Sequence, residues 1–211
     1  IKTVKTIYHF NQRMISPGTR MTMKLSKFRD SLKIDNGVWS ISNMKKDLIF
    51  LEIENSSYQC AIPYPLPEIA FAYWNYGATK AESFLIIDDT EAKFLSEKPK
   101  VSGDPLKVLD ELRNRKKNGP IEEIRKSQKS RLIVSVNTET ENEVNAILTS
   151  SDMYLNTAKS IVLAIEKIIK NDNKVYGVIS PGLIFQDSLS QTIKSLSIDF
   201  KLSQNIKFKN V

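Results

Sequence analysis

Residues 131–170 read RLIVSVNTETENEVNAILTSSDMYLNTAKSIVLAIEKIIK. Two periods meet in this stretch. Arg131 to Val136 and Glu143 to Leu148 are short runs rich in Val, Ile and Leu, separated by a polar segment, which is the pattern of two paired strands. From about Asp152 to Lys170 the spacing changes, and Ala158, Ile161, Ile165, Ile168 and Ile169 recur so as to form an apolar stripe along one side of a helix. Strand, turn, strand and helix in direct succession predict an α+β domain in which helices back a mixed, mostly antiparallel sheet.

The flanking sequence extends this reading. IKTVKTIYHF at residues 1–10 alternates loosely and predicts a strand. Ser16-Pro17 then gives a helix start, because the hydroxyl can cap free amides and proline is tolerated at the first helical position. Met21, Leu25, Phe28 and Leu32 follow at helical spacing, predicting a helix that ends before Asp35-Asn36-Gly37. DLIFLEIE and SYQCAI, between Lys45 and Tyr64, predict two strands meeting at Asn55-Ser56-Ser57. A short apolar helix from Pro67 to Trp74 and a strand over Glu82–Asp88 come next. A helix carrying Leu106, Leu109 and Leu112 is expected before Gly119-Pro120. After the long helix, Lys174 to Ser180 reads as a strand. A helix bearing Phe185, Leu189, Ile193 and Leu196 follows, and Ile198 to Leu202 reads as a closing strand. Neither an internal repeat nor a low-complexity linker is visible, so residues 1–211 are expected to form a single domain.

Composition narrows the function classes. With 41% hydrophobic and 26% charged residues the chain suits a globular domain with a core. No apolar run approaches the roughly 18 to 20 residues of a membrane span, so no span is expected. The chain begins at Ile1 with no basic-then-apolar leader, and reads as a cut from something longer. Cys60 is the only cysteine, which excludes an intrachain disulfide and a Cys-rich zinc site and fits a reducing, cytoplasmic compartment. His9 is the only histidine, so no His-pair metal site and no HExxH exist; in the middle of a predicted strand it reads as a sheet residue. Neither GxGxxG nor GxxxxGK[ST] occurs, so no phosphate-cradling loop is present.

The net charge of +7 is concentrated in two stretches, residues 1–33 and 113–131. Each can attract an anionic substrate, an acidic partner or nucleic acid, or be a solvated lysine-rich surface. Tyr73, Trp74 and Tyr76 offer stacking surfaces for a nucleic-acid module, but their apolar context, IAFAYWNY, fits core packing better and argues against that partner. Two segments suggest ligand contacts. Ser16-Pro17-Gly18-Thr19-Arg20 opens a helix with exposed amides suited to a carboxylate or phosphate, or is an ordinary cap. Gly119-Pro120-Ile121-Glu122-Glu123-Ile124-Arg125 turns into a charged helix whose Arg125 suits a bidentate carboxylate contact, or pairs with Glu122 on the surface.

Four elements in order resemble the carboxyl-terminal half of saccharopine dehydrogenase-like proteins. SPGT at Ser16–Thr19 is similar to the family's S-G-G-T-like turn, and GPIEEIR at Gly119–Arg125 to its G-P-x-x-x-x-R element. Asp152-Met153-Tyr154-Leu155-Asn156-Thr157-Ala158 matches a D-x-Y-x-x-T-A helix start, and Gly177-Val178-Ile179-Ser180-Pro181 a G-V-x-x-P element. Pro17 stands where the family has a second glycine, and Ser180 where threonine is common. The resemblance implies a two-domain oxidoreductase whose amino-terminal Rossmann domain binds NAD or NADP. The present chain would be its substrate-side domain, a wall of the cleft in which hydride passes between cofactor and substrate, and often a homodimer surface. It also implies that Ser16, Thr19 and Arg125 contact a small anionic or acyl substrate. A noncatalytic dimerisation or scaffold domain is the alternative of a different class.

Overall fold

The computed structural model describes residues 1–10, 16, 19, 30–43, 46–87, 119–127, 129–140, 142–170 and 177–210. Ten strands among them join one sheet: β1 (Thr3–His9), β2 (Asp30–Asp35), β3 (Val38–Asn43), β4 (Ile49–Ile53), β5 (Gln59–Pro63), β6 (Lys80–Ile86), β7 (Lys129–Asn137), β8 (Glu143–Ser151), β9 (Asp199–Ser203) and β10 (Ile206–Asn210). Five helices accompany them: α1 (Glu68–Tyr76), α2 (Glu122–Ser127), α3 (Met153–Lys170), α4 (Pro181–Ile184) and α5 (Leu189–Ser195). The sheet runs β10-β4-β5-β6-β1-β7-β8-β9, with the β2–β3 hairpin branching off β6. Among the described pairings, β1 with β6 is parallel and the others are antiparallel. The α+β architecture is therefore the one expected.

The two ends of that order are joined by a very short link. Eight strands laid flat at about 4.8 Å spacing would separate β10 from β9 by about 34 Å. Only Gln204 and Asn205 lie between Ser203 and Ile206, and three Cα steps reach at most about 11 Å. The sheet must curl. Its concave face encloses the main core, in which Leu51 and Ile53 of β4 and Ile206 of β10 join Ile7, Phe84, Ile133 and Ile147 from the opposite side.

Alternation puts both faces of the central strands to use. On β1, Ile7 enters that enclosed core, while Val4 packs with Ile34, Ile69, Ala72, Ala78 and Ala81 beneath α1. Tyr8, on the same face as Val4, joins Ile62, Leu85 and Ile87 in a third cluster. α1 starts after Pro67 and ends at Gly77, whose φ of 66° is the left-handed conformation glycine adopts freely. The amides of Gly77 and Ala78 close the helix onto Tyr73 and Ala72.

Several expectations are corrected. Leu32, assigned to a helix, lies in β2, and Asp35-Asn36-Gly37 is the tip of a hairpin. Asn36 and Gly37 both have positive φ, 50° and 76°, as a two-residue hairpin turn matching strand twist requires. Met21, Leu25, Phe28 and the Leu106–Leu112 helix lie outside the described residues. Residues 177–180 are not a strand, and the helix expected through Phe185 and Leu196 is broken into α4 and α5, with buried Phe185 at the break. β10 continues the sheet beyond Leu202, where the sequence reading stopped. The largest difference concerns α3. Its apolar stripe points outward, with Ile161, Ile165 and Ile168 about half exposed and Ile169 at 77%. The enclosed core is filled by residues of the sheet itself, and none of the α3 stripe is among the buried residues that form it.

Candidate functional site

The site begins where β8 turns into α3. Asp152 adopts φ 43°, an uncommon conformation for a residue with a Cβ, and its Oδ1 accepts the Leu155 N–H at 3.1 Å, capping the helix. Its backbone N–H donates to the Arg125 carbonyl at 3.0 Å. The Arg125 Nε lies 3.1 and 3.0 Å from the two Asp152 oxygens, and Nη1 donates to the Pro120 carbonyl at 2.8 Å. One guanidinium thus ties the Gly119-Pro120 turn and α2 to the first turn of α3. The alternative partner, Glu122, pairs instead with Lys126 one helical turn on. That ammonium, by hydrogen bond and by charge, holds the Glu122 carboxyl below its ordinary range.

Tyr154, two residues into the same turn, reaches the amino-terminal part of the chain. Its hydroxyl oxygen accepts the Ser16 N–H at 2.7 Å and lies 3.1 Å from Thr19 Oγ1. The Thr19 N–H donates to Ser16 Oγ at 3.1 Å, and the two side-chain oxygens are 3.0 Å apart. Ser16, Thr19 and Arg125, the three residues singled out from sequence, are therefore brought together around α3. Among the described residues, Ser16, Gly119, Pro120, Arg125, Tyr154 and Leu155 line an open depression of about 320 Å³ there. Pro17 and Gly18 lie outside the described residues.

Asp152 and Tyr154 are the members that sequence reasoning did not assign to a site. They stood in the D-x-Y pattern, but nothing local reveals that one holds Arg125 and the other Ser16. The fourth sequence element packs elsewhere. Ser180 is buried with its Oγ 3.0 Å from the Tyr76 hydroxyl of α1, and a Cβ on Gly182 would sit 2.9 Å from that oxygen.

The fold is similar to that of a saccharopine dehydrogenase. The apo enzyme from Saccharomyces cerevisiae, described as L-Glu forming, aligns with a TM-score of 0.50 and 9% identity over 96% of this chain and 67% of that one. At that identity the likeness is one of fold. No family model matches the chain, and no curated protein matches it.

Two further polar sites are distinct from the depression. The Tyr8 hydroxyl donates to Glu68 Oε1, and burial, followed by the Glu68 charge and that hydrogen bond, holds the phenol far above its ordinary pKa. Glu68 Oε2 is buried without a partner. His9, opposite Arg131 on β7, is held below its ordinary pKa by burial and then by the Arg131 charge. Among the described residues no group of three or more His, Cys, Asp or Glu is placed to hold a metal ion, and no helix is long and apolar enough to cross a membrane. The sequence contains no glycine-rich turn of the kind that cradles a dinucleotide.

Proposed function

We propose that residues 1–211 form the substrate-side and oligomerisation domain of a cytoplasmic, NAD(P)-dependent saccharopine dehydrogenase-like oxidoreductase, with the dinucleotide held by another domain of the same protein. The observation that carries the reading is the convergence of three separated sequence elements, through Ser16, Arg125 and Tyr154, on one depression in a domain of this fold. The role of these residues is orientation: Arg125 and Asp152 fix the start of α3, and the Tyr154 hydroxyl ties Ser16 and Thr19 to it, which sets the wall formed by Ser16, Arg125 and Tyr154. Such positioning is what a substrate domain contributes to hydride transfer. The direct test is whether the intact protein binds NADH or NADPH. Saturable binding is expected, and its absence for both nucleotides would remove the oxidoreductase reading.

The outward stripe on α3 supports the oligomerisation part. Ile161, Ile165, Ile168 and Ile169 form an apolar strip, and a twofold partner lays the same strip against itself. A second copy is the occupant that fits, because an uncharged strip meets its own copy without apposing like charges. Sedimentation of the protein is expected to give a dimer.

A further inference from the structure

We infer that a groove between α3 and α5, separate from the depression, is a second ligand site that takes a small organic carboxylate. Leu163, Lys167 and Lys170 of α3 face Gln191 and Thr192 of α5 across it, with Phe185 also in its lining, around a volume of about 360 Å³. The two sites share a helix but not a turn: the depression takes Tyr154 and Leu155, and Leu163 lies about 12 Å further along the axis than Leu155. At about 100° per residue, Leu163, Lys167 and Lys170 project from the side of α3 opposite Ile161, Ile165 and Ile168, so a partner laid on the apolar stripe leaves the groove open.

The hydrogen-bonding capacity left in the groove is donor capacity. Lys167 Nζ donates to Ser188 Oγ at 3.0 Å, a neutral acceptor that fixes the ammonium in place without cancelling its charge and uses one of its three N–H bonds. The Ser195 hydroxyl is taken by the Thr192 carbonyl at 2.8 Å, whereas the Gln191 amide and the Thr192 hydroxyl make no hydrogen bond among the described residues. Lys170 and Glu166, 3.9 Å apart, offset each other in charge, so Lys167 leaves the described lining one positive charge in excess. A carboxylate matches both properties: it only accepts, it carries one charge, and its bond to an ammonium is stronger than one between neutral groups. Buried Phe185 and half-buried Leu163 give its body apolar contact. The volume lies at the low end of the roughly 300–1,000 Å³ typical of small-molecule sites, so a compact acid fits better than a long one.

The experiment titrates the whole protein at neutral pH with benzoate and with benzamide, which share a ring and differ in charge, by calorimetry, and locates benzoate by backbone amide chemical-shift changes. Benzoate is expected to bind saturably, with benzamide about tenfold weaker or more, the worth of one charge-assisted hydrogen bond. The shifts are expected at Lys167, Gln191 and Thr192 and not at Tyr154 or Leu155. Lys167→Met keeps the apolar stem, removes the charge, and should weaken benzoate about tenfold while leaving benzamide unchanged. Glu166→Gln, at a side chain 54% exposed, removes a like charge from the lining and should tighten benzoate. Thermal melts establish that both variants are folded. Benzamide binding as tightly as benzoate, shifts confined to the depression, benzoate binding unchanged in Lys167→Met, or benzoate not tightened by Glu166→Gln would each overturn the inference. A benzoate titration without saturation would do the same, and would leave the two lysines as partners of the α3 carboxyl-terminal dipole alone.

Discussion

Replacing Arg125 with Met tests whether one ion pair holds the candidate site together. The substitution keeps most of the side-chain length and removes the guanidinium, leaving the Asp152 carboxylate, 5% exposed, with the Leu155 N–H as its remaining hydrogen-bond partner among the described residues. Breaking a fully buried pair in this way costs about 3–5 kcal/mol. The Arg125 side chain is 30% exposed, so water screens part of the interaction and about 2–3 kcal/mol is the better expectation. At 2–4 °C per kcal/mol for a domain of this size, the melting midpoint should fall by about 4–12 °C. Asp152→Asn removes the charge that Arg125→Met strands, so the double variant should lose less than the sum, with a coupling of about 1–2 kcal/mol. Urea unfolding of the four proteins gives the cycle. An unchanged midpoint in Arg125→Met, or additivity within about 0.5 kcal/mol, would refute the strut assigned to this pair.

Three other perturbations probe separate parts of the molecule. His9 is held neutral in the fold, so the unfolded chain takes up a proton first: its contribution is undiminished above about pH 6.5, declines as pH falls from there towards the lower folded-state pKa, and then levels off. Urea midpoints for wild type and His9→Gln between about pH 8 and 5 should diverge in that window, and parallel profiles would contradict the assignment. Tyr8→Phe leaves both Glu68 oxygens without a partner and should destabilise by about 1–3 kcal/mol, whereas a neutral result would show that water reaches the carboxylate. Ile165→Glu places a charge in the middle of the outward stripe on α3 and should shift the protein to monomer in sedimentation; since Ile165 is already half exposed within the protomer, the melting midpoint should fall only by what association contributes and lose its dependence on protein concentration.

The sequence is most readable where the hydrophobic period is unambiguous over the length of an element. β7, β8, the β4–β5 pair and α3 lie where their spacing predicts, because each pattern is strong and local. The β2–β3 hairpin was hidden by the chance helical spacing of Met21, Leu25, Phe28 and Leu32, although Asn36-Gly37 is a strong hairpin signal in its own right. The Ile206 and Phe208 alternation with Lys207 and Lys209 announces β10, but its place beside β4 depends on the curl of the sheet, which no local pattern encodes. The outward stripe of α3 is equally beyond the sequence: amphipathicity says that a face seeks apolar company, not whether that company is this domain's own core. Trp74 illustrates the point on a smaller scale. Its apolar context predicted burial, yet it is 62% exposed and packs beside Trp39 of β3, ring centroids 6.0 Å apart. At the candidate site, residue chemistry suggested Ser16, Thr19 and Arg125. The contacts that join them, through Asp152 and Tyr154, span 27 and 138 residues, and only the folded chain brings these groups into reach.

As proposed above, the chain is the substrate side of a nicotinamide-dependent enzyme. Titration of the intact protein with NADH and with NADPH, followed by nucleotide fluorescence, tests it most directly. A saturable enhancement with at least one of the two is the predicted result. A flat titration with both would contradict the claim and leave a domain of this fold without the chemistry.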